Sequence, residues 1–323
     1  MTDLFTVARK EFLDLRRDRL FLIVISFLTA VTLVSVAVGA ADFRAQLEAY
    51  NRYVADLAAA GTGVVPAAPQ LFPLQLLRGG IEYLEILGAL FAIVLGYGTV
   101  AKEKHRGTLQ LFLSRPVSRF AFAGGKVAGL SAVWLGVVLL LTAFSTIAVI
   151  TIGGGAVTGV DLGRLAITAC FMWLYLVFWT ALAVGLTSLA ARLSTGLIVA
   201  LVVWLAFVLV IPQIGDTMDP DNQVPGGLFA ALQIKKSDEL GVLAQFAGFD
   251  GIRNGLEVSS ITKHFERLSF AFLGIKAQYN GQSIPVVWAA MLPYAITLTV
   301  ATIASVIFSA VATTRRTLQR KQS

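Results

Sequence analysis

Two carboxylates three residues apart, Glu82 and Glu85, stand at the start of an otherwise apolar stretch. That spacing puts both on one helical face. A carboxylate beside hydrocarbon is costly to hold, so the pair is a candidate for a substrate pathway or a gate. Arg78, four residues before Glu82, supports the competing reading of an ion pair at headgroup level. Catalytic groups are otherwise sparse. The chain has two histidines, His105 and His264, and one cysteine, Cys170, so neither a disulfide framework nor a multi-cysteine metal site can be built, and a Ser-His-acid constellation has little to work with. The Gly125-Lys126 pair lacks the rest of a phosphate-binding loop: Phe120 stands where G-x-x-x-x-G-K-[ST] requires its first glycine, and Val127 where it requires a hydroxyl. No nucleotide-hydrolysing site is expected on this chain, and no metal or cofactor.

The elements that must position these residues are membrane-spanning helices. Of 323 residues, 57% are hydrophobic and 14% charged, whereas a soluble domain carries about a quarter charged residues. Mean hydropathy is +0.78. A helix needs about 20 apolar residues to cross a hydrocarbon layer roughly 30 Å thick. Six runs approach or exceed that length: Leu20 to Ala41, Ile81 to Ala101, Val127 to Ile152, Leu165 to Ala191, Thr195 to Ile214 and Pro285 to Ala312. None alternates as a membrane barrel strand does. The first run is too long for the core of a secretory signal, and Asp42-Phe43-Arg44 is no cleavage site, so it reads as a retained anchor. The expected fold class is all-α, a polytopic membrane protein with six transmembrane helices in a single transmembrane domain spanning 1–323.

Charge sets the expected orientation. With the N-terminus inside, sixteen of the 26 lysines and arginines fall on the cytoplasmic side, together with five of the 19 acids. Basic residues crowd the ends of the spans, as the positive-inside bias requires. The expected location is the cytoplasmic membrane, multi-pass, with both termini cytoplasmic. The net charge of +7 is then topological, and no nucleic-acid partner is expected. This topology leaves His105 and His264 on opposite sides.

Amphipathic stretches flank the spans. Within 1–19, Phe5, Ala8, Phe12 and Leu15 recur at helical spacing opposite Arg9, Lys10, Arg16 and Arg17, which predicts an interfacial helix against membrane lipids. In the 42–80 outer loop, Phe43, Leu47, Tyr50, Val54 and Leu57 predict a second such helix, ended by the Gly- and Pro-rich Gly61 to Pro73. In the 215–284 segment, Ile261, Phe265, Leu268, Phe272 and Ile275 predict a third. That helix is expected to lie on the outer leaflet or cover the pore mouth rather than to span.

The segment Ala101 to Lys126, AKEKHRGTLQLFLSRPVSRFAFAGGK, follows the second span on the cytoplasmic side. Lys102, Glu103, Lys104 and Arg106 form a charged turn. Gly107 and Thr108 open a short greasy helix that Pro116 stops, and Ser118 and Arg119 lead toward Gly124, Gly125 and the third span. This segment resembles the permease subunits of the type-two ABC exporter family in Glu103, Gly107, Thr108, Leu109, Leu113, Pro116, Val117, Ser118, Arg119, Gly125 and Lys126. The opening VARKEFLDLRRDR, Val7 to Arg19, resembles that family's N-terminal helix.

The resemblance implies that the loop 102–126 docks on a separate ABC ATPase subunit, present in two copies, which binds the ATP and magnesium and drives export by a dimer with a second, identical or related, permease. It assigns coupling to Glu103, Arg106, Gly107, Thr108, Arg115, Pro116 and Arg119. The charged members among these either pair with the ATPase or form a solvated positive-inside loop. Two alternatives stand beside the export reading. One is a mechanical transmission subunit acting on an extracytoplasmic protein. The other is an ion-coupled carrier or channel, which would call for ionisable residues deep in the spans, where almost none occur. The aromatic stripe Phe171, Tyr175, Phe178 and Trp179 reads either as pathway lining or as packing.

Overall fold

A computed structural model describes residues 6–10, 13, 19–59, 72–106, 119–152, 157–218, 232, 238, 241, 245 and 247–313. Among them all regular structure is helical. Six helical stretches are long and apolar enough to cross a membrane: Phe21–Ala59, Pro73–Glu103, Gly124–Thr151, Gly159–Leu189, Leu193–Thr217 and Ile284–Ala312. They coincide with the six runs that hydropathy picks out. The chain is an all-α polytopic membrane protein.

The first span belongs to α1 (Arg19–Ala59), which continues without a break through the stretch expected as a separate amphipathic helix. The second is composite. A 3-10 turn (Pro73–Leu77) leads into α2 (Arg78–Tyr83), a π-helical turn (Leu84–Gly88) and α3 (Ala89–Arg106). The third and fourth are α4 (Arg119–Thr151) and α5 (Gly159–Leu189). The fifth is again interrupted, as α6 (Leu193–Trp204), a second π turn (Leu205–Val210) and α7 (Ile211–Thr217). After α8 (Ala247–Ser259) and α9 (Ile261–Phe272), the last span, α10 (Ile284–Ala312), runs through Pro293. Local sequence explains several of the starts. Thr158 and Asp161 form a reciprocal capping box on α5, and proline opens both α7 and α10.

The most enclosed span is α5, which packs against α3, α4, α6, α9 and α10. Its stripe Phe171, Tyr175 and Trp179 is buried, so these rings pack the core. Tyr175 stacks on Phe265 with ring centroids 4.6 Å apart, and Trp134 Nε1 donates to Thr180 Oγ1 at 2.9 Å. Between membrane helices, contact is gained by close backbone approach. A Cβ at Gly96 would lie 2.6 Å from the Thr180 carbonyl oxygen, so α3 rests directly on α5 there. The outward faces, such as Ile23, Val34 and Val38 on α1 and Ile198 and Val202 on α6, are exposed and apolar.

The segment before α10 departs from expectation. The helix predicted around Ile261 to Ile275 does not lie on an outer surface. α9 is wedged between α2, α5 and α10, with Thr262, Lys263, His264 and Ser269 buried along with its apolar residues. Phe265 meets Tyr175 at its start, and the Phe272 carbonyl accepts from Arg164 at its end, so α9 runs antiparallel to α5. Eleven residues separate Arg164 from Tyr175, about 16 Å of helix. The polar side of the stripe is covered because it finds partners inside the bundle. The return to α10 is equally specified. Gly274, at φ +67°, ends α9 with Ile275 N–H bonded to the Phe270 carbonyl at 2.9 Å and Gly274 N–H to that of Ala271 at 3.2 Å, a Schellman arrangement that favours glycine.

The contact at Gly96 makes a direct test. Gly96→Ala is expected to separate α3 from α5 and cost about 1–3 kcal/mol. Gly98→Ala, where an added Cβ meets nothing within 4 Å, should leave the thermal unfolding midpoint in detergent unchanged.

Candidate functional site

Two charged clusters lie near opposite ends of the second span, at Glu103 and Glu85. Eighteen residues separate them, about 27 Å of helix, close to the thickness of a hydrocarbon layer.

At the first end, Lys126 has 0% exposure and Glu103 5%. Lys126 Nζ lies 2.8 Å from Glu103 Oε1 and donates to the Thr99 carbonyl at 3.2 Å. Lys10 Nζ, from the helical residues 6–10, reaches the same carboxylate oxygen at 3.0 Å. Three segments distant in sequence are thus tied at one point. The C-terminus of α3 extends one turn beyond this clamp and the N-terminus of α4 about two, so an ion pair ties together the two helices that flank residues 107–118. Removing one partner of such a buried pair leaves an uncompensated charge, at a cost of roughly 3–5 kcal/mol. Among the described residues Glu103 Oε2 has no hydrogen-bond partner.

Of the residues the sequence singles out for coupling, Glu103 is this clamp's acceptor. Arg106 and Arg119 are the last residue of α3 and the first of α4, bracketing the loop. Gly107, Thr108, Arg115 and Pro116 lie outside the described residues. Sequence reasoning placed Lys126 in the shared motif and Lys10 on the polar face of the N-terminal helix, but joined neither to Glu103. The available signal was a lysine set against the apolar start of the third span, where an unpaired ammonium is costly.

At the other end, Glu82 and Glu85 separate in role. Arg78 Nε bonds Glu82 Oε1 at 2.8 Å on the exposed face, the ion pair expected from their spacing. Glu85 is turned inward, at 7% exposure, on the π turn. It lines a cleft of about 320 Å³ with Glu82, Asp216, Glu266, Lys263 and Arg78. Lys263 Nζ lies 2.7 Å from Glu266 Oε2 and 3.1 Å from Asp216 Oδ1, joining α9 to the end of α7. Burial disfavours the Lys263 ammonium, but the two carboxylates outweigh it and its pKa stands above the ordinary lysine value. Burial raises the Glu266 carboxyl against the pull of Lys263. Beside the cleft, Arg267 binds Glu257 at 2.6 Å, Asn254 at 2.9 Å and the Tyr294 hydroxyl at 2.7 Å, which fastens α8, α9 and α10 together.

The π turns explain how a carboxylate is held there. A π turn breaks the regular i→i−4 ladder and is frequent at functional sites, and inside a bilayer its backbone groups need internal partners. The Glu85 carbonyl accepts from Tyr175 Oη at 2.8 Å and the Ile86 carbonyl from Trp204 Nε1 at 3.2 Å. On the second turn the Phe207 carbonyl accepts from Ser260 Oγ. Side chains of α5, α6 and α9 therefore hold both interruptions side by side. Neither the π turns nor these donors is visible in hydropathy.

The clamp makes a stability prediction. Glu103→Leu, which leaves the Lys126 ammonium buried without its carboxylate, is expected to lower unfolding stability by about 3–5 kcal/mol, and adding Lys126→Met should recover most of that loss, because an apolar pair of similar volume replaces a buried ion pair at little cost. Denaturation midpoints in detergent measure both.

Comparison with known proteins agrees with this architecture. The chain is 26% identical over 271 residues to the probable ABC transporter permease protein NosY of Stutzerimonas stutzeri, covering 81% of this chain and 87% of the relative. The family of ABC-2 family transporter proteins matches residues 5–312, nearly the whole chain, and the protein belongs to that family.

Proposed function

We propose that this ABC transporter membrane subunit is the permease of an ATP-driven exporter in the cytoplasmic membrane, with both termini cytoplasmic. It pairs with a second permease, identical or related. Two copies of a separate ATPase, which hold the ATP and magnesium, engage the loop 102–126. The observation that carries this reading is the buried joint of Glu103, Lys126 and Lys10. Force applied to the loop by ATPase closure cannot be absorbed at its base. It passes into α3, which lies against α5 at Gly96 and acts as a rod. At the far end of that rod the π turn carries Glu85 into its cleft, where Glu82 and Glu85 serve the pathway or its gate. Arg106, Gly107, Thr108, Arg115, Pro116 and Arg119 form the contact surface for the ATPase.

A second reading gains support from the α8–α9 pair. It packs on α2, α7 and α10 and is fastened by the Arg267 network, so motion of the spans would be delivered outside the membrane to an extracytoplasmic protein.

Co-expression with an ABC ATPase subunit from the same genome tests the first reading. The expected result is a complex of two permeases and two ATPases. Gly107→Trp with Arg115→Glu should reduce ATP-coupled transport at least tenfold without loss of membrane insertion. Failure to form a complex, or coupling that survives both changes, overturns it.

A further inference from the structure

The cleft at Glu85 is unbalanced in charge. Four carboxylates line it, those of Glu82, Glu85, Asp216 and Glu266, against two cations, Arg78 and Lys263. The cations are already engaged, Arg78 with Glu82 and Lys263 with Asp216 and Glu266. Glu85, more than nine-tenths buried, makes no side-chain hydrogen bond or ion pair among the described residues. A buried carboxyl without a partner holds a negative charge only when a cation is brought to it, and the Tyr175 and Trp204 bonds to the π turn hold the backbone so that the carboxyl stays at the cleft.

The chemistry of the walls narrows the occupant. No group of three or more His, Cys, Asp or Glu with metal-holding geometry occurs among the described residues. The remaining walls include Ile86, Val208 and Pro212. A volume of about 320 Å³ is at the lower end for small-molecule sites. A group with one positive charge, N–H donors and an apolar body fits these constraints.

We propose that the cleft between the second and fifth spans and α9 binds a primary ammonium group, with Glu85 as its counter-ion. The ammonium belongs either to a soluble amine or to the headgroup of an aminolipid. This rests on the pathway reading of Glu85 and assigns it a ligand class. Binding is read on the permease alone, without ATP, so its failure is separate from failure of the ATPase coupling.

The full chain in phosphatidylglycerol nanodiscs is titrated with 2-phenylethylammonium, with 2-phenylethanol as the neutral isostere. The ammonium is expected to raise the melting temperature saturably and the alcohol not. Glu85→Gln should weaken ammonium binding at least tenfold while leaving the ligand-free melting temperature unchanged or higher, which a merely structural role would not do. Glu48→Gln, on the exposed face of α1, should bind as the parent does. In nanodiscs that also contain phosphatidylethanolamine, native mass spectrometry distinguishes the sources. One retained aminolipid per chain, displaced by 2-phenylethylammonium and absent in Glu85→Gln, identifies the headgroup, and its absence alongside amine binding identifies a soluble amine. An equal response to the alcohol, binding indifferent to Glu85→Gln, or neither amine binding nor a retained lipid overturns the proposal.

Discussion

An ammonium with no exposed surface, Lys126, and the carboxylate that neutralises it fix the geometry of one face of this protein. Such a charge is tolerated beside the hydrocarbon layer only with its partner in place. The requirement locks the end of α3 to the beginning of α4 in a single register, and Lys10 adds the N-terminal helical residues to the same oxygen. The helix ends that flank residues 107–118 are therefore held together. The same constraint acts at the other end of the second span with a different outcome. There Arg78 and Lys263 are committed to other acids, and Glu85 is held beside them by backbone bonds from Tyr175 and Trp204.

Between the two ends the chain is built for stiffness. α3 contacts α5 with no side chain intervening at Gly96, and α5 is the helix on which most of the others pack. The two π turns sit together near the cleft, each with a carbonyl bonded by a side chain from elsewhere in the bundle.

Much of this was legible in the sequence, for identifiable reasons. Span number and position follow from hydropathy because the hydrocarbon thickness imposes a length. The Arg78–Glu82 pair follows from helical spacing. Glu103 and Lys126 could be picked out individually, but a pairing across 23 residues and two helices leaves no trace in local periodicity. The burial of α9 was missed because an amphipathic stripe predicts one wet face. Here the polar side meets Glu257 and Tyr294 inside the protein and the half-exposed Asp216 at its edge. The π turns were invisible because what supports them is tertiary: Tyr175 on α5, Trp204 on α6 and Ser260 at the start of α9 donate to carbonyls of the two turns.

Transmission of motion along the second span, from the ion pair at Glu103 to the π turn at Glu85, is measured by hydrogen exchange along residues 84–106 in the assembled transporter, nucleotide-free against ATP-bound. Changed protection is expected both at 99–106 and at 84–88, with little change in the α3 stretch between them, and with loss of the response at 84–88 in Lys126→Met while the ATPase stays bound. A nucleotide response confined to the loop base, with 84–88 unaffected in the parent protein, would contradict it.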